Sequence, residues 1–439
     1  MHRIQSAIIA VFLFLTFMTL DPGKAQAQSY VFGTASVAAP TSTLSSPPAG
    51  NPPIIAVDLN GDGITDFAIL GGVAGTPGIS IMMGRPDGTF APMVNYPVQA
   101  SGIAVGDFNG DGKLDIIALS QFNYPIASIL LGNGDGTFQP AATLNLGISL
   151  ANYAAVYSAD FNGDGKMDLV VLGGVAANMA VILGNGDGTF QAPVTYPISA
   201  GPAMVIGDFN GDGKPDIALP GNNLISVFIN NGNGTFPNAV NYAVTGGVTC
   251  LIAGDLNNDG KLDFVASTGT VSPALSVLLG IGDGTFASPV TYTSNLLNDY
   301  GSSLAVADFN GDGKLDVAAT SNTGYGVVIL LGKGDGTFQA SPQIYSAGKG
   351  GVLLALDVNG DGKPDLAMWG GGYQDFSSLA VIINQGNGAF PSASTYPVIK
   401  YPWLAVQGDF DGDGKLDVIS ANSDYGMGGS LSIFTNNAS

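Results

Sequence analysis

The chain has 439 residues, 46% hydrophobic and 11% charged, so it carries ample apolar material for a large core and a disordered reading is excluded. Its formal charge of −21 comes from 34 acidic residues against 13 basic ones, and every acidic residue is Asp. Seven of the 13 basic residues, Lys113, Lys166 and Lys214 among them, lie inside acidic stretches, so no basic patch is left over and nucleic acid is excluded as a partner.

Residues 1–27 read as a secretory signal: Arg3 precedes an apolar run from Ala7 to Leu20, and Ala25-Gln26-Ala27 supplies a small-x-small cleavage site. The expected localisation is secreted or extracytoplasmic, in a periplasm or at a cell surface. An uncleaved anchor is the alternative, but the run is short for a span of about 20 residues. No membrane span is expected after cleavage. Residues 28–38 come next, and residues 39–53 form a Pro- and Ser-rich connector with little that could pack. Cys250 is the sole cysteine, which excludes an intrachain disulfide, and its apolar surroundings predict a buried strand position.

From Ile54 onward the chain repeats. The pattern DxNGDGxxD, or a close variant, starts at Asp58, Asp107, Asp160, Asp208, Asp255, Asp308, Asp357 and Asp409, at intervals of 47 to 53 residues. Oxygen side chains at positions 1, 3, 5 and 9, a backbone carbonyl at position 7 and a turn-permitting glycine at position 6 match the first part of an EF-hand-type calcium loop. The loops hold 25 of the 34 acidic residues, which favours cation binding over a merely solvated surface.

Each repeat contains four short, β-branched-rich apolar segments bounded by Gly, Asn, Asp or Pro. In the second copy they are Ile103–Val105, Ile116–Leu119, Ala127–Leu131 and Ala141–Leu146. A second signature, Gly132-Asn133-Gly134-Asp135-Gly136-Thr137-Phe138, recurs with counterparts ending at Phe90, Phe190, Phe236, Phe286, Phe338 and Phe390. It offers too few oxygens for a metal and reads as a hairpin turn followed by a core aromatic. Four antiparallel strands every 50 residues or so predict an all-β fold, a β-propeller of four-stranded antiparallel blades, eight in number with seven as the alternative. The eighth repeat stops after its third strand at Leu431–Phe434, and Tyr30–Ala38 precedes the first loop as a fourth strand would, so the N-terminal strand is expected to close the ring over residues 54–439.

With these motifs the chain resembles FG-GAP and VCBS repeat proteins, whose calcium-binding propellers include the head domain of integrin α chains. The resemblance covers residues 30–439 and implies structural calcium, up to eight ions. It implies the ligands Asp58, Asn60, Asp62, Ile64 (through its carbonyl) and Asp66 in the first loop. The second would use Asp107, Asn109, Asp111, Lys113 and Asp115, the third Asp160, Asn162, Asp164, Lys166 and Asp168, the fourth Asp208, Asn210, Asp212, Lys214 and Asp216. The fifth would use Asp255, Asn257, Asp259, Lys261 and Asp263, and the sixth Asp308, Asn310, Asp312, Lys314 and Asp316. The seventh would use Asp357, Asn359, Asp361, Lys363 and Asp365, and the eighth Asp409, Asp411, Asp413, Lys415 and Asp417. Two features depart from the relatives. Integrin-like heads commonly have seven blades and fewer calcium loops, and position 12, Glu in an EF-hand, is Ile69, Ala118 or Ala319 here.

Calcium loops and GDGTF turns are expected on one face. The variable connections of the opposite face hold Phe122, Tyr124, Tyr153, Tyr300, Tyr325, Trp369, Tyr373, Trp403 and Tyr425, which makes it the default surface for a protein or glycan ligand. The expected function is a secreted, monomeric binding or adhesion module. A polysaccharide-acting, lyase-like enzyme and a structural envelope or matrix protein are the alternatives. The balance is against an enzyme, because His2 leaves with the signal and no Glu exists, so catalysis would fall to groups such as Asp299, Asp375, Asp424, Lys349 or Lys400.

Overall fold

The computed structural model describes residues 36–38, 54–70, 78–85, 90–120, 127–148, 155–173, 178–198, 204–269, 274–293, 303–321, 326–339, 343–346, 353–359, 361–369, 378–390, 393–397, 402–410, 413–424 and 428–434. Among these residues every regular element is a strand. The second repeat illustrates the unit. Its strands are Gly102–Gly106, Asp115–Leu119, Ala127–Leu130 and Ala142–Leu144, within two residues of the segments read from the sequence. They pair antiparallel in order, Ile103 opposite Ala118, Ile117 opposite Ile129 and Ser128 opposite Thr143. The second strand is buried along its whole length, because blades cover both of its faces, and so it is a continuous apolar run. The fourth strand is at the outer edge and is short and largely exposed, which limits edge-to-edge association.

Hydrogen bonding gives six four-stranded sheets and one of seven strands. The seven-stranded sheet is two blades joined, because Val240–Gly254 runs without interruption as the last strand of the fourth blade and the first strand of the fifth. Gly246, at φ 90°, lies within this strand, opposite a register shift between Asn222 and Leu224. Counted in this way the fold has eight blades, not seven. Cys250 lies on the same strand, as expected, but is half-buried rather than fully buried, and desolvation of its thiol raises its pKa above the usual range.

Every hydrophobic cluster is shared by two consecutive blades. Ile79 and Ile81 of the first pack on Ile116, Leu130 and Phe138 of the second. The series continues around the molecule to Leu379 and Val381 of the seventh against Val418 and Phe434 of the eighth. No blade therefore has a core of its own, and stability is a sum of neighbour interfaces. The first strands of successive blades touch, as where the Ser158 hydroxyl donates to the Val105 carbonyl at 2.9 Å.

The last blade combines the two ends of the chain. Pro402–Gly408, Asp417–Asp424 and Gly428–Phe434 supply three strands, and Ser36–Ala38 supplies the fourth, with Val37 opposite Ser432. Residues 30–35 of the expected closing segment lie outside the described residues. The first and eighth blades also meet: the Thr65 N–H donates to the Asp409 carbonyl at 3.3 Å, and the Phe67 ring meets Phe410 edge-on at 4.9 Å. These contacts are consistent with a closed ring. Both rings at this seam are fully buried, and each contributes roughly 1.5–3 kcal/mol by burial alone.

Phe410→Ala is expected to cost about 3–5 kcal/mol in denaturant unfolding. Val37→Pro, which removes a ladder donor from the closing strand, is expected to start limited proteolysis within Gly428–Phe434. First cleavage in a central blade would contradict the role of Ser36–Ala38 in completing the last blade.

Candidate functional site

The acidic loop joins the first and second strands of every blade and is folded by its own side chains. In the second blade the Asp107 carboxylate accepts the N–H groups of Gly110 (2.7 Å), Asp111 (3.2 Å) and Gly112 (2.8 Å). Asn109 Oδ1 accepts the Asp111 N–H at 2.9 Å, and Asp111 Oδ1 accepts that of Lys113 at 3.0 Å. Short polar side chains thus bond the backbone two to five residues ahead and wind the loop around them. Gly110 and Gly112 take φ 75° and 82°, which a side chain would resist. In the fifth loop Asn258 adopts φ 58° at the position held by Gly110, a conformation that Asn tolerates.

Position 9 has a different environment. Asp66, Asp115, Asp168, Asp216, Asp263, Asp316, Asp365 and Asp417 are all fully buried. Asp115 accepts the Phe108 N–H of its own loop at 3.1 Å and the Gly132 N–H of the GDGTF turn at 2.8 Å. The same pair of bonds recurs at Asp66, from Leu59 (2.9 Å) and Gly84 (2.8 Å), and at Asp316, from Phe309 (2.9 Å) and Gly332 (2.7 Å). One carboxylate therefore fastens loop to turn in each of the first seven blades, and in the eighth, whose repeat has no such turn, Asp417 accepts the Phe410 N–H of its own loop at 2.8 Å. Burial, less the effect of these donors and with a further push from the carboxylates at positions 1 and 5, raises its pKa from 3.8 to about 6 at Asp66, Asp115, Asp168, Asp216, Asp263 and Asp316. At Asp365 it reaches about 7.

Loop and turn then reach the neighbouring blade. The Phe108 carbonyl in the second loop accepts the Gly188 N–H of the third blade's turn at 2.9 Å, and Phe309 accepts that of Gly388 at 3.0 Å. Fourth-strand tyrosines complete the joint. The hydroxyls of Tyr96, Tyr196 and Tyr242 accept the N–H groups of Phe138, Phe236 and Phe286 in the next blade's turn at 2.9–3.0 Å. The turns are structural, as read from the sequence, and Phe138, Phe236, Phe286, Phe338 and Phe390 are core residues. In the fourth and seventh turns Asn230 and Asn384 replace the first glycine. Their amides donate to the Phe161 carbonyl at 2.6 Å and the Phe309 carbonyl at 2.8 Å across the blade boundary, and to Pro215 and Pro364 within the blade.

Sequence reasoning missed the tyrosine joints and the second role of position 9. The signal for the tyrosines was available, since each follows the turn phenylalanine of its own blade by six or seven residues, as Tyr96 follows Phe90 and Tyr345 follows Phe338.

The donor set of each loop is all oxygen, as a hard divalent cation requires: carboxylates at positions 1 and 5, an amide at position 3 and the carbonyl at position 7. Asp107 Oδ2 and both oxygens of Asp115 each accept one N–H and retain acceptor capacity, whereas Asp107 Oδ1 already accepts two. Among the described residues no group of three or more Asp, His or Cys side chains stands together in a metal-holding cluster. Asp411 is outside the described residues. So are the side chains proposed for the opposite face: Phe122, Tyr124, Tyr153, Tyr300, Tyr325, Tyr373 and Tyr425 lie outside the described residues altogether, and Trp369 and Trp403 lie on strands rather than in the expected connections. Asp299, Asp375, Lys349 and Lys400 are likewise outside, and Asp424 ends a strand.

A family model for the FG-GAP-like repeat matches residues 58–118, 107–171, 160–219, 208–266, 255–319, 308–368 and 357–420. Each match begins at the first aspartate of a loop and runs into the next repeat, and the chain belongs to this family. No curated protein matches it. Among solved structures, the BP39L lectin of Burkholderia pseudomallei is similar with a TM-score of 0.54 at 17% identity, over 78% of this chain and 97% of the lectin. A lectin of Agrocybe aegerita that recognises non-reducing terminal N-acetylglucosamine gives a TM-score of 0.49 at 20% identity, over 84% of this chain and 99% of that one. At 17% identity the likeness to BP39L is one of fold alone. Among the described residues no helix is long and apolar enough to cross a membrane.

Asp115→Ala strands two buried N–H donors and is expected to cost about 2–4 kcal/mol in unfolding experiments, with or without divalent cations. Asp111→Ala, in the exposed part of the loop, is expected to cost under about 1 kcal/mol when cations are chelated. Equal losses would contradict the division of labour within the loop.

The raised carboxyls also set a pH response for the chelated protein. Between the unfolded value near 3.8 and the folded value of about 6, the native state binds more protons than the unfolded one, so stability falls as pH rises through that window. The melting temperature in chelator is expected to be higher at pH 5 than at pH 7.5. The opposite slope would contradict a desolvated position 9.

Proposed function

We propose that the chain is an extracytoplasmic, calcium-stabilised propeller that binds a glycan or protein ligand on the face opposite the acidic loops. The observation that carries the reading is the eightfold recurrence of the DxNGDGxxD loop at one end of every blade. Positions 1, 3, 5 and 9 and the position-7 carbonyl would hold the ion, which neutralises carboxylates that repel one another by about 1 kcal/mol per pair in water. If calcium stands at roughly ten times Kd, each ion adds ~1.4 kcal/mol, and eight independent ions add on the order of 11 kcal/mol. That is comparable with the net stability of a typical domain. The charge of −21 would fall to −5 with eight ions bound, 16 positive charges having been added.

The signal-like pattern of residues 1–27 supports export. With loops and turns occupied at one end by the blade joints, the connections at the other end are left to vary, and seven of the nine aromatic residues expected there fall between strands in the sequence. The BP39L structure is a lectin by name, which favours a glycan as the first ligand class to test. A mature chain without His or Glu favours binding over catalysis.

Chelation is expected to lower the melting temperature strongly and added calcium to restore it, while a glycan array probed with and without calcium is expected to show retention only in its presence. Melting curves that ignore calcium would remove the metal from this account. Turnover of a polysaccharide without stable retention would replace the binding module by an enzyme.

A further inference from the structure

An asparagine followed by glycine carries an electrophile and a nucleophile side by side, because the glycine nitrogen, once deprotonated, can reach the side-chain carbonyl carbon with no Cβ in the way. The chain contains eleven such pairs, and in ten of them both residues are described. In five acidic loops the glycine N–H is held by the position-1 carboxylate: Gly61, Gly110, Gly163, Gly211 and Gly311 each donate to it at 2.7 Å. A bond to a carboxylate keeps the proton on the nitrogen and fixes its direction, so these pairs are guarded.

Three blades place the pair at the start of the turn before the fourth strand: Asn133-Gly134 in the second, Asn185-Gly186 in the third and Asn231-Gly232 in the fourth. The three turns fold alike. Each asparagine N–H donates to the carbonyl of the threonine four residues on at 2.9 Å, and its side-chain amide donates to that threonine's hydroxyl at 2.9–3.0 Å. The fourth turn differs by carrying Asn230 where the others have Gly132 and Gly184, and Asn230 Oδ1 accepts the Gly232 N–H at 3.0 Å and that of Gly234, which follows Asn233, at 3.2 Å. Gly388, which follows Asn387, donates to the Phe309 carbonyl at 3.0 Å. Among the described residues the N–H groups of Gly134 and Gly186 alone in these pairs have no acceptor, and Asn133 and Asn185 are exposed to water.

We propose that Asn133 and Asn185 are sites of intramolecular deamidation, and that capture of the glycine N–H protects the other described pairs. Gly134 N gives its proton to solvent base and forms a bond to Asn133 Cγ; the Cγ–Nδ2 bond breaks, and the amine takes a proton from water and leaves as ammonia. A second water opens the resulting five-membered imide. Opening at Cγ gives aspartate on the original backbone, and opening at the main-chain carbonyl gives isoaspartate, whose backbone runs through Cγ. Either product carries a new negative charge beside the acidic loop of its own blade, since the Lys113 stem lies against Gly134 and the Lys166 stem against Gly186, where an added Cβ would fall 3.0 Å and 2.8 Å from the respective Cδ atoms. At Asn133 the isoaspartyl product also lengthens the turn whose Phe138 N–H meets the Tyr96 hydroxyl of the preceding blade. The reaction requires no bound metal and is independent of the calcium reading above.

Peptide mapping by mass spectrometry, on the folded full chain aged with chelator in mildly alkaline buffer, tests this. Asn133 and Asn185 are expected to convert about ten- to a hundredfold faster than Asn109, Asn162 or Asn231, the margin given by the hydrogen bond that their glycines lack. Asn230→Gly, which gives the fourth turn the glycine found in the second and third, should raise the conversion of Asn231 to the rate of Asn133. Equal rates across loops and turns, or loop asparagines converting first, would overturn the inference. So would an Asn231 that stays inert in folded Asn230→Gly protein.

Discussion

The architecture depends on one buried carboxylate per blade. Position 9 of each loop sits at zero exposure with an N–H donor from its own loop on one oxygen, and in the first seven blades a donor from the turn sits on the other. Burying a charge without partners costs several kcal/mol, so these bonds are obligatory rather than decorative. Because the loop joins strands one and two and the turn joins strands three and four, the carboxylate holds the two hairpins of a blade in register at one end. The same loop and turn supply the carbonyl and N–H groups that meet the neighbouring blades, so intrablade and interblade order share one origin.

Shared cores make the molecule a one-dimensional array, and the contacts between its first and eighth blades are consistent with a closed ring. In such an array the joint between the ends is special, since it is the only one without covalent continuity through the repeats. Here it is reinforced by a strand from the N-terminal segment, by two buried phenylalanines and by a backbone bond.

Much of this was legible from the sequence because it is local. Glycine at positions 4 and 6 of the loop, β-branched runs of four to six residues and a fixed period specify turn, strand and blade without reference to distant residues. The closing strand was legible from a deficit, three strands in the last repeat against an unassigned N-terminal segment. What could not be read was chemistry between segments far apart in the chain. Nothing near Tyr196 announces that its hydroxyl meets the Phe236 N–H, and Asp115 reads as one more ligand until Gly132 is brought to it. The uninterrupted Val240–Gly254 strand was hidden for a related reason: Gly246-Gly247 signals a turn, yet the pairing of both flanks keeps the segment extended.

The central claim is that the eight loops are metal sites placed on a common scaffold. Long-wavelength anomalous diffraction from crystals grown in saturating calcium tests it most directly. The account requires eight peaks, one per loop, each about 2.3–2.6 Å from oxygens at positions 1, 3, 5, 7 and 9. Well-ordered loops with no anomalous peak among those oxygens would contradict it.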